Sequence, residues 1–187
     1  MKSLARTALF SLIALCAGHA QARVEVESGT QKPLGRVLVA KVSEDIAPGD
    51  YEALLRGLRE HPGQFARKIV LLDSIGGSAA EAMRMGRLLR ETGFDALVPS
   101  NGVCQGSCVY LLAAGNKRTV RGHVAIHRPH FPAGDSAQAS RAGLPRDVDG
   151  YLGRMGVAPR LASDMQAIAP QQLKVLTAQE LARYRLN

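Results

Sequence analysis

At 187 residues with 46% hydrophobic content the chain is not a disordered polymer, and an aromatic content of 4% without Trp gives little from which to build a sugar-stacking groove or a base-stacking surface. The formal net charge is +8, two units of which, Lys2 and Arg6, sit in the first six residues. Without interleaved aromatics or a nucleic-acid motif that balance does not point to a nucleic-acid partner, and length and composition suit one globular domain.

The first residues read as an export signal. Lys2 and Arg6 form a basic start, Ala8 to Ala17 an apolar stretch, and Ala20-Gln21-Ala22 a cleavage site. Residues 1–22 are therefore expected to be a signal peptide and 23–187 a single domain, soluble and periplasmic or secreted. No later window approaches the roughly 18 uncharged apolar residues of a membrane helix. Cys16 is a poor lipoprotein anchor, because Leu15 before it is larger than the small residue expected there.

Gly35 to Val42 and Lys68 to Leu72 are β-branched, apolar runs, and between them Tyr51, Leu54, Leu55 and Leu58 recur at helical spacing, which predicts a βαβ unit. Ser78 is placed to cap a helix reaching Thr92, with Ala82, Met85, Leu88 and Leu89 on its apolar side, and a short strand follows from Asp95 to Val98. Arg84, Arg87 and Arg90 fall on that helix, next to Glu81 and Glu91, as a solvated face. Ser107 opens an apolar helical run from Val109 to Ala114 that stops at Gly115, and Thr119-Val120 and Val124 to His127 are strand-like. Residues 129–145 shift to Gly, Ser, Ala and Pro, a long loop or lid beside His127. Three short helices are expected after it, over 147–156, 159–168 and 178–185, the last with a Thr177/Glu180 capping box. Alternation of strand and helix favours an α/β domain with mainly parallel pairing.

Once Cys16 leaves with the signal, Cys104 and Cys108 are the remaining cysteines, in a compartment where an oxidised pair persists. Their i, i+4 spacing puts the Cα atoms about 6 Å apart if helical, so a disulfide stiffening the turn at Ser107 is expected. Two thiolates without a second ligand pair do not make a zinc site, and no metal or other cofactor is expected. Ser107 and His127 are the pair suited to acyl transfer, since a serine hydroxyl needs a neighbouring base. The developing oxyanion needs backbone donors, which the Cys108 amide at a helix start and the Gly76-Gly77 turn can supply. Singly, each has a plainer role: helix cap for Ser107, strand-to-helix turn for Gly76-Gly77, strand end for His127.

Three segments carry a family resemblance. They are Asp73-Ser74-Ile75-Gly76-Gly77, Ser107 followed by Leu111-Leu112-Ala113-Ala114-Gly115, and Ile126-His127-Arg128-Pro129. In that order they resemble the Clp-type serine peptidases of the ClpP/crotonase superfamily. The resemblance implies repeated βαβ units with C-terminal helices, Ser107 as nucleophile, His127 as general base, and Gly77 and Cys108 amides as the oxyanion hole. It implies a peptide or other acyl substrate, leaves a homo-oligomer open, and in the periplasm no ATPase partner is expected. Ile75 stands where the family has proline and Arg128 where it has glutamine. The family's triad aspartate would fall near Leu173-Lys174, where no carboxylate stands. Asp164, Gln171 and Gln172 are the nearest substitutes, with Asp147 or Asp149 if the loop folds back. The alternative to a serine hydrolase is thus a weak or inactive binding or scaffold protein on the same fold. Acyl-CoA chemistry is disfavoured outside the cytoplasm.

Overall fold

A computed structural model describes residues 23–128, 148–169 and 171–187, so the expected signal peptide, 1–22, and the expected loop or lid, 129–145, lie outside the described residues. The described part opens with β1 (Arg23–Gln31), a strand not foreseen in the sequence, paired antiparallel as a hairpin with β2 (Gly35–Ile46). Val24 and Val26 of β1 pack against the core between Glu25 and Glu27, a period-2 alternation. Helix α1 (Asp50–Glu60) leads to β3 (Arg67–Gly77), and α2 (Ala79–Glu91) to β4 (Asp95–Val98). Then come β5 (Val103–Gln105), α3 (Cys108–Ala114), β6 (Arg118–Val120) and β7 (His123–Ile126). The C-terminal part contributes α4 (Val148–Arg154), α5 (Arg160–Ala167), β8 (Lys174–Val175) and α6 (Ala178–Tyr184).

Among the described residues eight strands form one sheet of order β1-β2-β3-β5-β7-β8, with β4 pairing both β3 and β6. Pairing is parallel except at the two edges, β1/β2 and β7/β8. The architecture is thus α/β with a mostly parallel sheet. Strand β3 is long enough for β4 to pair with Ile69–Leu71 and β5 with Ser74, end to end along one side. Between β4 and β5 the Gly102 N–H closes a turn onto Pro99 O at 2.9 Å.

Along β2, β3 and β4 buried residues alternate with less buried ones, so only one row of each strand enters the main core. That row meets α2 and α3. All seven residues of α3 are buried, and a helix apolar on every side has to lie inside the protein. Leu111 is fully buried within it, so Leu111→Ala is expected to cost about 2–5 kcal/mol in urea denaturation. Ser78 caps α2 by accepting the Glu81 N–H at 3.3 Å, and the Thr177/Glu180 capping box opens α6.

The arginine row of α2 is tied in more than its spacing suggests. Arg84 pairs with Glu52 and Glu81 and lies 4.2 Å over the Tyr51 ring. Arg90 and Arg118 both donate to Ala113 O and Met155 O, and Arg118 also to Arg185 O. Those carbonyls belong to the C-terminal ends of α3, α4 and α6, where backbone acceptors lack helical partners and cations are favoured.

Candidate active site

Strands β3, β5 and β7 are neighbours, and the registers Ser74↔Cys104 and Cys104↔Val124 bring their C-terminal ends into one row. The chain leaves those ends through Gly76-Gly77, through Gly106-Ser107 and through His127, so the three segments singled out in the sequence converge at the C-terminal edge of a parallel sheet. Ligand sites of open α/β sheets form there.

Ser107 immediately precedes α3 with φ −68° and ψ −17°, and its side chain makes no capping hydrogen bond. Its Oγ is buried and has no hydrogen-bond partner among the described residues, and the residue is 5% exposed. The plainer role of a side-chain helix cap is therefore not the one Ser107 plays. The helix that Ser107 opens is wholly buried, so its first turn lies inside the protein too. Among the described residues no backbone carbonyl accepts the Ser107 or Cys108 N–H, which leaves the Cys108 amide unspent at the start of α3. Cys104 and Cys108 form the disulfide, with Cα atoms 5.2 Å apart and both residues buried, linking the end of β5 to the start of α3 across Ser107.

The glycine turn is positioned by a residue the sequence reading left out. Ser74, fully buried, donates from Oγ to Glu44 O at 2.6 Å and accepts the Gly76 N–H at 3.2 Å. Glu44 stands at φ +64°, where β3 bulges by one residue, Ile75, and its register against β2 shifts. Gly76 has φ +105°, and a Cβ there would lie 2.8 Å from Gln105 O and 3.2 Å from Ser107 N. At Gly77, φ +124°, a Cβ would strike Asp45 Oδ1 and the Ile46 backbone. Ser78 N–H donates to Ile46 O at 2.7 Å, and in parallel pairing Ile46 then bonds to the residues flanking Gly77. The Gly77 amide is therefore turned away from β2.

His127 is partly exposed at the end of β7. Its Nδ1 lies 2.8 Å from Arg128 O. Its Nε2 is the atom nearest to where a Cβ on Gly106 would sit, at 2.6 Å, so the ring packs on the residue preceding Ser107. Gly106, at φ +52°, is accordingly a requirement of the site that linear spacing did not expose. Ser107 and His127 are thus close in the chain's fold, but no hydrogen bond joins them.

None of the described substitutes for a triad aspartate bonds to His127. The Asp164 carboxylate accepts the Tyr184 hydroxyl at 2.5 Å and pairs with Arg160 at 3.3 Å, and the Tyr184 bond holds it below the usual carboxylate range. Asp149 is exposed on α4, Gln171 and Gln172 are exposed beyond α5, and Asp147 lies outside the described residues.

Beside the glycine turn, Asp50 and Glu81 are buried carboxylates. Glu81 accepts the Gly49 and Tyr51 N–H groups at 3.0 and 2.9 Å and so caps α1 from α2. Burial, with Glu81 and Asp45 adding to it, pushes the Asp50 carboxyl up to about 6 against the pull of the Ala47 N–H. A raised carboxyl makes the folded state hold its proton longer than the unfolded chain, so this contribution to stability is present below about pH 4 and lost as pH rises through about 6. Asp50→Asn is expected to melt higher than the wild type at pH 7, with the gap closing at pH 4; a gap independent of pH contradicts this.

A crevice of about 200 Å³ lined by Leu38, Leu58, His61, Phe65, Lys68 and Phe94 lies at the opposite, N-terminal ends of β2 and β3, away from Ser107. Among the described residues no group of three His, Cys, Asp or Glu side chains could hold a metal ion, and no helix is long and apolar enough to cross a membrane. Comparison with known proteins gives no matching family model and no matching curated protein.

Proposed function

We propose that the protein is a serine hydrolase resembling the Clp-type peptidases, exported to the periplasm or beyond, with Ser107 as nucleophile and His127 as general base on a peptide or other acyl bond. The observation that carries this reading is the Ser107 hydroxyl, a buried polar group without a partner among the described residues, at the C-terminal edge of the sheet. Such groups are rare and call for a functional reason. In the reaction, Ser107 Oγ adds to the acyl carbonyl carbon while its proton passes to His127 Nε2. The oxyanion is met by the Gly77 and Cys108 amides, each such donor contributing about 2.7–4 kcal/mol. The imidazolium then protonates the leaving group, and water releases the acyl group by the same steps in reverse.

Hydrolysis of p-nitrophenyl acetate by the mature protein tests this, because the small acyl group asks little of the cleft. His127→Gln is expected to lower the rate by about 10²–10⁴. A variant as fast as the wild type rules out His127 as base. The second reading, a binding or scaffold protein on the same fold, is favoured by one observation, that Ser107 is 5% exposed and unbonded to His127. It expects no turnover above that of the Ser107→Ala protein.

A further inference from the structure

We propose that the backbone carbonyl of Arg128 orients His127 in place of a triad carboxylate, and that the Arg128 side chain holds that carbonyl from the C-terminal end of α5. The inference rests on the hydrolase reading for its catalytic meaning, but its structural content stands on the His127 ring alone. A carbonyl oxygen can only accept, so the 2.8 Å contact between Nδ1 and Arg128 O puts the hydrogen on Nδ1. In the neutral ring Nε2 then carries the lone pair, and Nε2 faces Gly106, next to Ser107. Both nitrogens are thereby accounted for, and no ring position is left for a carboxylate.

Arg128 is itself fixed at two points. Its N–H donates to Ile168 O at 2.9 Å and its Nε to Gln166 O at 2.8 Å. Both acceptors lie at the C-terminal end of α5, where carbonyls have no helical donor and a guanidinium is attracted by the helix dipole. Main chain and side chain of one residue are clamped to one helix end, and the carbonyl between them is set toward His127. Arginine in place of the family's glutamine thereby gains a physical role, that of a positioning residue.

A triad aspartate both selects the tautomer and stabilises the imidazolium. Loss of that carboxylate costs about 10⁴ in turnover where the wrong tautomer results. A carbonyl restores the tautomer and offers the imidazolium a dipole instead of a full charge, so a slow but active enzyme follows.

The test combines long-range ¹H–¹⁵N correlation spectra of the His127 ring with the rate of fluorophosphonate labelling, on the mature chain and on Arg128→Ala and Arg128→Lys. The His127→Gln spectrum identifies the resonances. The neutral wild-type ring is expected to be protonated at Nδ1. Arg128→Ala should shift it toward Nε2–H and slow labelling about tenfold, and Arg128→Lys should recover part of both. A wild-type ring protonated at Nε2, or a tautomer indifferent to Arg128→Ala, overturns the proposal, and the first of these needs no variant to fold. Labelling with the Nε2–H tautomer would sink the carbonyl role and leave the hydrolase reading standing. An Arg128-dependent Nδ1–H tautomer without labelling would support the carbonyl role and sink the hydrolase.

Discussion

Gly77→Ala is expected to be the most damaging small substitution near the site, lowering stability by about 2–6 kcal/mol. The residue sits at φ +124°, where an L side chain is strained by about 1–3 kcal/mol. A Cβ would also land on Asp45 Oδ1 and on the Ile46 backbone, and a paired strand cannot step aside as a flexible side chain can. Overpacking of that kind typically costs about 1–3 kcal/mol more. Gly153→Ala is the control, since a Cβ there meets nothing within 4 Å inside α4. A helical glycine replaced by alanine should gain about 0.5–1 kcal/mol. Urea denaturation of the two variants beside the wild type decides the matter, and a Gly77→Ala protein as stable as the parent would mean that the β2–β3 junction is not built as described.

Ser107→Ala is expected to do the opposite to stability, raising it by about 1–3 kcal/mol while abolishing acyl-transfer reactivity. The gain follows from removing a buried hydroxyl that has no partner and whose desolvation goes uncompensated. The sign separates two roles. A serine that capped α3 would cost about 0.5–2 kcal/mol on replacement by alanine. A nucleophile held without a partner makes the folded state less stable than its alanine version, the trade between stability and activity found at functional sites. Thermal melts of the two proteins at one pH read the sign directly.

Much of the scaffold was legible because its strands and helices carry clean periods. Leu54 and Leu58 mark α1, Ala82, Met85 and Leu89 mark α2, and the boundaries of β4 fall where Asp95 and Val98 put them. The Cys104–Cys108 pairing followed from cysteine count and spacing. Strands β5 and β8 are three and two residues long, too short to show a period, and they exist because their longer neighbours offer edges to pair with. Strand β1 did show one, in Val24-Glu25-Val26-Glu27, but it directly follows the stretch that reads as an export signal.

The site was legible in its order and not in its environment. A serine at a helix start is visible in the sequence, but whether Ser107 is buried is not. Its burial is set by α3, and that is known only once α2 and the sheet close over the helix. Ser74 lies within a quoted motif and Gly106 just before Ser107, but their roles depend on Glu44 and His127, which are distant in sequence. The candidates for a third triad member, Asp164, Gln171, Gln172, Asp147 and Asp149, are all side chains, and a backbone carbonyl leaves no signature in a sequence.

The most direct measurement is intact-mass spectrometry of the mature protein after treatment with a fluorophosphonate, followed by peptide mapping of the adduct. The account predicts a single phosphonyl adduct on the peptide carrying Ser107, absent from Ser107→Ala and strongly reduced in His127→Gln, because a serine without its base stays protonated and unreactive. No adduct on the wild type between about pH 6 and 9, or one that His127→Gln leaves undiminished, would contradict it.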